Sequence, residues 1–150
     1  MAADEFITDP APPPLGPLRR AIVLLGSIGP LGYLPASGTV AVAIAGIPLQ
    51  YWLGTRLSPL GYAVVTVLFI AASMVLHQLG DKWLGESDSR KLVWDELAGY
   101  FVAMWCVPLQ WQWIVVGFFL ERFFDIAKIP PARWVDRNWH NGVGVVLDDV

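Results

Sequence analysis

The chain has 150 residues, with 10 Lys+Arg against 13 Asp+Glu and a formal charge of −3, which speaks against a nucleic-acid partner held by a basic face. A hydrophobic content of 55% and a mean hydropathy of +0.52 are too high for an ordinary water-soluble domain, and they exclude disorder as a description of the whole. The one cysteine, Cys106, excludes a disulfide framework or a cysteine-based zinc site within one chain.

Residues 1–18 are rich in proline and acidic and read as an exposed leader, which differs from a secretory signal in lacking a basic start. Residues 19–150 read as one domain. Arg56 is the one charged side chain in residues 21–80, and residues 97–120 have none. The charges collect in three blocks, 1–20, 81–96 and 121–150. Stretches that are apolar all round point to a bilayer, where a span takes about 20 residues. The predicted class is all-α: an integral membrane helical bundle with short re-entrant or spanning helices and a polar cytoplasmic face.

After Arg19 and Arg20, the glycines and prolines of residues 26–35 predict a short helix breaking into a loop. Residues 39–53 and 60–79 predict a helical hairpin turning at Arg56, with Tyr51 and Trp52 suited to an interface. His77, at the end of the second arm, reads as an interfacial or helix-terminal side chain. Residues 97–120 could cross once, but Pro108 among Gln110, Trp111, Gln112 and Trp113 favours a turn between two short helices. Arms of about 10 residues would each reach ~15 Å. The hairpin also leaves all three charged blocks, each with basic residues, on one face. The eight tryptophans mostly flank the apolar runs and read as interface anchors.

In the block 81–96, Asp88 or Ser89 is the predicted N-cap of the helix carrying Asp95 and Glu96. Adjacent carboxylates at an interface repel and resist desolvation, and a divalent cation such as Mg²⁺ would offset both costs. On spacing alone they read equally as two solvated acids. In 121–150, Arg122 and Asp125 sit at i,i+3, as do Asp125 and Lys128, and either pair could be an ion pair. Mixed cations and carboxylates at one rim suit a phosphate ester with a metal, or else a solvated anchoring loop. His140 could protonate a leaving alkoxide or could be a turn histidine.

These residues, taken in order, resemble the phosphatidylglycerophosphatase A family of bacterial Mg²⁺-dependent lipid phosphatases. The resemblance covers residues 26–150. It rests on Pro35 with Gly38-Thr39, Asp88 with Val93-Trp94-Asp95-Glu96 and Gly99, and Arg122, Asp125 and Lys128 at three-residue steps. It continues through Asp136-Arg137-Asn138, His140, Gly142 with Gly144, and Asp148-Asp149. The chain departs from the family pattern at Ile129, where proline is usual, and at Asn141-Gly142, where two glycines are usual. It also stops at Val150, where family chains continue into a final apolar helix.

The resemblance implies hydrolysis of phosphatidylglycerophosphate to phosphatidylglycerol and phosphate, in phospholipid biosynthesis at the cytoplasmic face of the inner membrane. It implies Mg²⁺ as cofactor, with Asp88, Asp95, Glu96, Asp125, Asp148 and Asp149 as candidate ligands. Asp95, Glu96, Asp125, Arg122, Lys128 and His140 become candidate catalytic groups, and Thr39, Arg122, Lys128, Asp136 and Arg137 candidate substrate contacts. Glu121 matches no family position and reads as a solvated rim acid. The competing class is a non-catalytic membrane protein that binds or conducts divalent cations, although transporters usually place ionisable residues within their spans. A G-x-x-x-x-G-K-[ST] phosphate loop is absent from the sequence.

Overall fold

A computed structural model describes residues 16–85, 89–127 and Val146. The described residues are helical, with no strand among them. Helix α1 runs Pro17–Gly26, beginning inside the stretch read as leader, with its proline in the first turn where the missing N–H is not needed. A single 3-10 turn, Leu31–Tyr33, follows. Then come α2 (Ser37–Ala41), a π-helical turn (Val42–Gly46) and α3 (Ile47–Arg56), continuous along the chain. Helix α4 is Pro59–Leu84, α5 is Trp94–Ala103 and α6 is Trp111–Ala127.

Both predicted hairpins form. Leu57 is extended after α3, and Ser58 caps α4 by accepting a hydrogen bond from the Gly61 N–H at 3.2 Å, with Pro59 in the first turn. Pro108 lies in the turn that separates α5 from α6. The α6 arm is longer than expected, 17 residues or ~25 Å. The α5 start also differs. The helix begins after Val93 with no side-chain cap, whereas Asp88 lies outside the described residues and Ser89 donates its N–H to Asp81 Oδ1 at 3.0 Å. Tertiary contacts set that start. The Val93 N–H donates to the Gly26 carbonyl at 3.0 Å, and Leu92 packs against the bare backbones of Gly26 and Gly80.

Helices α4 and α5 pack antiparallel. The Trp105 indole donates to the Pro59 carbonyl at 3.1 Å, and the Tyr62 hydroxyl donates to the Phe101 carbonyl at 3.1 Å. Phe69 stacks on Trp94 at 4.4 Å and meets Phe101 edge-on at 5.0 Å. The core joins Ala41, Val42, Leu53, Val93, Leu97, Tyr100, Phe101, Met104 and Ile114.

The two faces of α4 are reversed from those of a water-soluble helix. Its buried residues are Tyr62, Thr66, Ser73, His77 and Gly80. Leu60, Val64, Val67, Leu68 and Val75 are exposed. It is long and apolar enough to cross a bilayer, with only 17% of its most apolar window buried. Trp52, Trp105, Trp111 and Trp113 are exposed on the α3–α4 and α5–α6 turns or within a turn of them, whereas Trp94 is engaged internally.

Candidate functional site

The site forms where the first turn of α5 meets the last turns of α4 and α6. Asp95 and Glu96 open α5, where the unpaired N–H groups and the helix dipole favour negative charge. Trp94 pins that turn from both sides, stacking on Phe69 of α4 and donating its indole N–H to the Leu25 carbonyl of α1 at 2.9 Å. Asp95 is buried, and its Oδ1 lies 3.2 Å from His77 Nε2 on α4. Glu96 is partly buried, and its Oε2 is enclosed without a hydrogen-bond partner among the described residues. Burial first, and the Asp95 charge second, push the Glu96 carboxyl well above the ordinary carboxylate range.

Gly38 is where the Glu96 side chain rests. A Cβ there would collide with the Glu96 carboxyl and its stem, so this position in α2 is open to that carboxylate only as glycine. Ser37 ties the same turn to the α4–α5 connection by donating its hydroxyl to the Arg90 carbonyl at 2.6 Å. Thr39, a predicted substrate contact, is half-buried beside Gly38.

The α6 contribution is one guanidinium held by two carboxylates. Arg122 donates Nε–H to Glu121 Oε2 at 2.6 Å and a second N–H to Glu121 Oε1, while its Nη1 lies 2.9 Å from Asp125 Oδ2. Glu121 is 8% exposed and Arg122 5%. Burial opposes the Arg122 charge, but Glu121, Asp125 and Glu96 outweigh it and keep the guanidinium firmly protonated. Burial likewise pushes Glu121 up, while Arg122 pulls it back. Glu96 lies within electrostatic reach of both Arg122 and Glu121. Among the described residues, three carboxylates thus bear on one arginine, two of them as ion-pair partners.

The structure therefore brings Asp95 and Glu96 of α5, Arg122 and Asp125 of α6 and the Gly38-Thr39 turn into one neighbourhood. Asp88, Lys128, Asp136, Arg137, His140, Asp148 and Asp149 lie outside the described residues. Two expectations are corrected. Glu121 is a buried partner of Arg122, because its fork matches the guanidinium along one edge. His77 faces the bundle interior with no exposure, because Ser73, one turn before it, and Gly80, one turn after, put that stripe of α4 against α5. The inward stripe Thr66, Ser73, His77 is the signal that would have found it, since polar groups in an apolar helix mark its protein-facing side.

Hard oxygen donors such as Asp95 and Glu96 suit Mg²⁺, which commonly takes one or two carboxylates and completes its shell with water and phosphate oxygens. The enclosed, unbonded Glu96 Oε2 fits that role. Among the described residues no three His, Cys, Asp or Glu side chains converge into a full cage.

The phosphatidylglycerophosphatase A family profile matches residues 24–150. The chain is 36% identical over 138 residues to the phosphatidylglycerophosphatase A of Haemophilus influenzae, covering 91% of this chain and 82% of that protein. It is 37% identical over 109 residues to the phosphatidylglycerophosphatase A of Escherichia coli, covering 72% of this chain and 63% of that protein. A Bacteroides thetaiotaomicron protein with a provisional phosphatidylinositol-3-phosphatase name is 34% identical over 136 residues. No solved structure matches the chain. With the Val93-Trp94-Asp95-Glu96 turn and the Arg122–Asp125 pair both inside the matched region, the chain belongs to the phosphatidylglycerophosphatase A family.

Proposed function

We propose that the protein hydrolyses phosphatidylglycerophosphate to phosphatidylglycerol and inorganic phosphate at the cytoplasmic face of a membrane, using Mg²⁺ held by Asp95 and Glu96. The observation that carries this reading is Glu96, seated against Gly38, within electrostatic reach of the Arg122 ion-pair cluster in a bundle whose longest helix turns its apolar face outward. A lipid in the same bilayer presents its headgroup at that depth, and family membership supplies the substrate.

In this arrangement α4 crosses the bilayer, ~39 Å at 1.5 Å per residue, and the α5–α6 hairpin returns to the side it left. The exposed tryptophans at the turn end occupy the far interface, beside Arg56. The polar blocks then share the near face.

Hydrolysis breaks the bond between phosphorus and the glycerol oxygen, which leaves with a proton, while water supplies the new oxygen on phosphate. Mg²⁺ would supply Lewis-acid polarisation of a phosphoryl oxygen. Arg122, held rigid by Glu121 and Asp125, places a fixed positive charge near the phosphoryl group without reorganising as the reaction proceeds. Gly38 leaves room for the Glu96 carboxylate, and the packed start of α5 keeps Asp95 and Glu96 oriented. Lys128 and His140, in the family pattern, would add charge balance and a proton for the leaving oxygen.

Purified protein in detergent micelles tests this against phosphatidylglycerophosphate, phosphatidic acid and phosphatidylinositol 3-phosphate, with Mg²⁺ or with excess EDTA. Phosphate release from phosphatidylglycerophosphate that needs Mg²⁺ is expected. Equal release in EDTA rejects the metal, and preference for the inositol lipid rejects the substrate. Mg²⁺ binding without turnover on any lipid favours a cation-binding protein.

A further inference from the structure

We infer that His77 is a positioning residue for the reaction, holding the Asp95 carboxylate from inside α4; the inference rests on the reading of Asp95 and Glu96 as the Mg²⁺ donors. Nε2 of His77 lies 3.2 Å from Asp95 Oδ1, a direct contact between imidazole and carboxylate, and His77 has no exposed surface. A lipid headgroup cannot touch a side chain so enclosed, so His77 acts through Asp95 and not on phosphate.

The need for such a group follows from the charges around it. Asp95 and Glu96 are adjacent carboxylates in one helical turn, and like charges so placed repel. Arg122, the one guanidinium of the cluster among the described residues, is committed to Glu121 and Asp125 on its own helix. Trp94 fixes the backbone of the turn through Phe69 and Leu25. His77 reaches the aspartate side chain itself from α4. An imidazole seated against a ligating carboxylate orients the donor, and such outer partners are worth roughly 10- to 100-fold in metal affinity or activity. The position also makes the histidine costly for anything else. It sits on a 26-residue apolar helix, where a leucine would pack without a polar atom to satisfy.

The test uses full-length protein in detergent with Mn²⁺ alone as a spectroscopic probe of binding, alongside Mg²⁺ titrations of kcat and KM for lipid. A glutamine amide nitrogen can stand where Nε2 stands, whereas the asparagine amide falls short, near Nδ1. His77→Gln is therefore expected to stay within about fivefold of the parent in Mn²⁺ affinity, and His77→Leu and His77→Asn to weaken it by about 10- to 100-fold. In both weakened variants kcat should fall, and KM for lipid should stay put. A purely space-filling histidine would not separate Gln from Asn, so equal behaviour of those two variants overturns the inference even if His77→Leu fails to fold. Asp95→Asn separates the two readings. If it keeps parental Mn²⁺ binding, the metal assignment fails and this inference with it; if it loses binding while His77→Leu keeps it, only the inference fails.

Discussion

Replacing Gly38 by alanine should separate the position of the Glu96 carboxylate from the stability of the fold. A Cβ at position 38 would stand 2.6 Å from Glu96 Cδ and 2.8 Å from Cγ, where ordinary contact is 3.4–4 Å. The carboxyl group must therefore retreat by roughly 1 Å, a displacement that costs about 100-fold when the group is part of a reacting constellation. The backbone need not follow. Gly38 is not one of the left-handed glycines, its neighbour is the end of a flexible side chain, and alanine is favoured over glycine in a helix by up to about 1 kcal/mol. Gly38→Ala should thus melt within a few degrees of the parent in detergent while phosphate release falls by about two orders of magnitude. Normal melting with turnover within about threefold of the parent would mean that the Glu96 carboxylate does not need its present place, and the site built around it would be wrong.

Four further outcomes follow from the same geometry. Asp95→Asn and Asp125→Asn should each lower turnover on the order of 100-fold or more with membrane insertion intact, measured as phosphate release per mole of inserted protein; parental turnover in either clears that residue of a role. Glu121→Gln removes one of two carboxylates from a buried arginine and should lower stability by about 1–3 kcal/mol, read as a lower melting temperature; an unchanged melt would return Glu121 to the rim. The raised Glu96 carboxyl favours the folded, metal-free protein below the ordinary carboxylate range, and that contribution is lost as pH rises through the raised folded value. Since Mg²⁺ takes the ionised form, its stabilisation of the melt should grow as pH rises above the ordinary carboxylate range, and a pH-independent shift would contradict this. In a Cys106→Ala background, Ser58→Cys should react with an impermeant thiol reagent on intact cells while Arg90→Cys and Asn138→Cys are protected, Ser58 and Arg90 being exposed at opposite ends of α4; opposite labelling of Arg90 and Asn138 would make a shared site untenable.

The helix boundaries that were legible in the sequence depend on local signals. Ser58-Pro59 starts α4 by capping, and Pro108 divides residues 97–120, so both hairpins could be read without knowing the packing. The start of α5 could not, because Val93 is held by a backbone bond to Gly26 sixty-seven residues earlier and carries no capping side chain. The π-helical turn at 42–46 leaves no mark in an apolar run for the same reason. Asp95 and Glu96 stood out as a pair of adjacent acids. His77 and Glu121 were misplaced because a helix that is apolar nearly all round has no readable polar side, and the rule that polar groups face outward is inverted there. Arg122 and Asp125 were legible at i,i+3, but the choice of Glu121 as second partner depends on rotamers that spacing does not encode.

The reversed faces of α4 also bear on how the protein is put together. Inserted alone, this helix would turn the hydroxyls of Thr66 and Ser73 and the His77 imidazole toward hydrocarbon. In the folded protein all three side chains are buried against protein instead. The arrival of α5 relieves that exposure by covering the polar stripe, and the same docking carries Asp95 up to His77. If α4 crosses a bilayer, a chain in which it has inserted but α5 has not docked holds Asp95 apart from His77, so packing of the two helices and assembly of the site are one event.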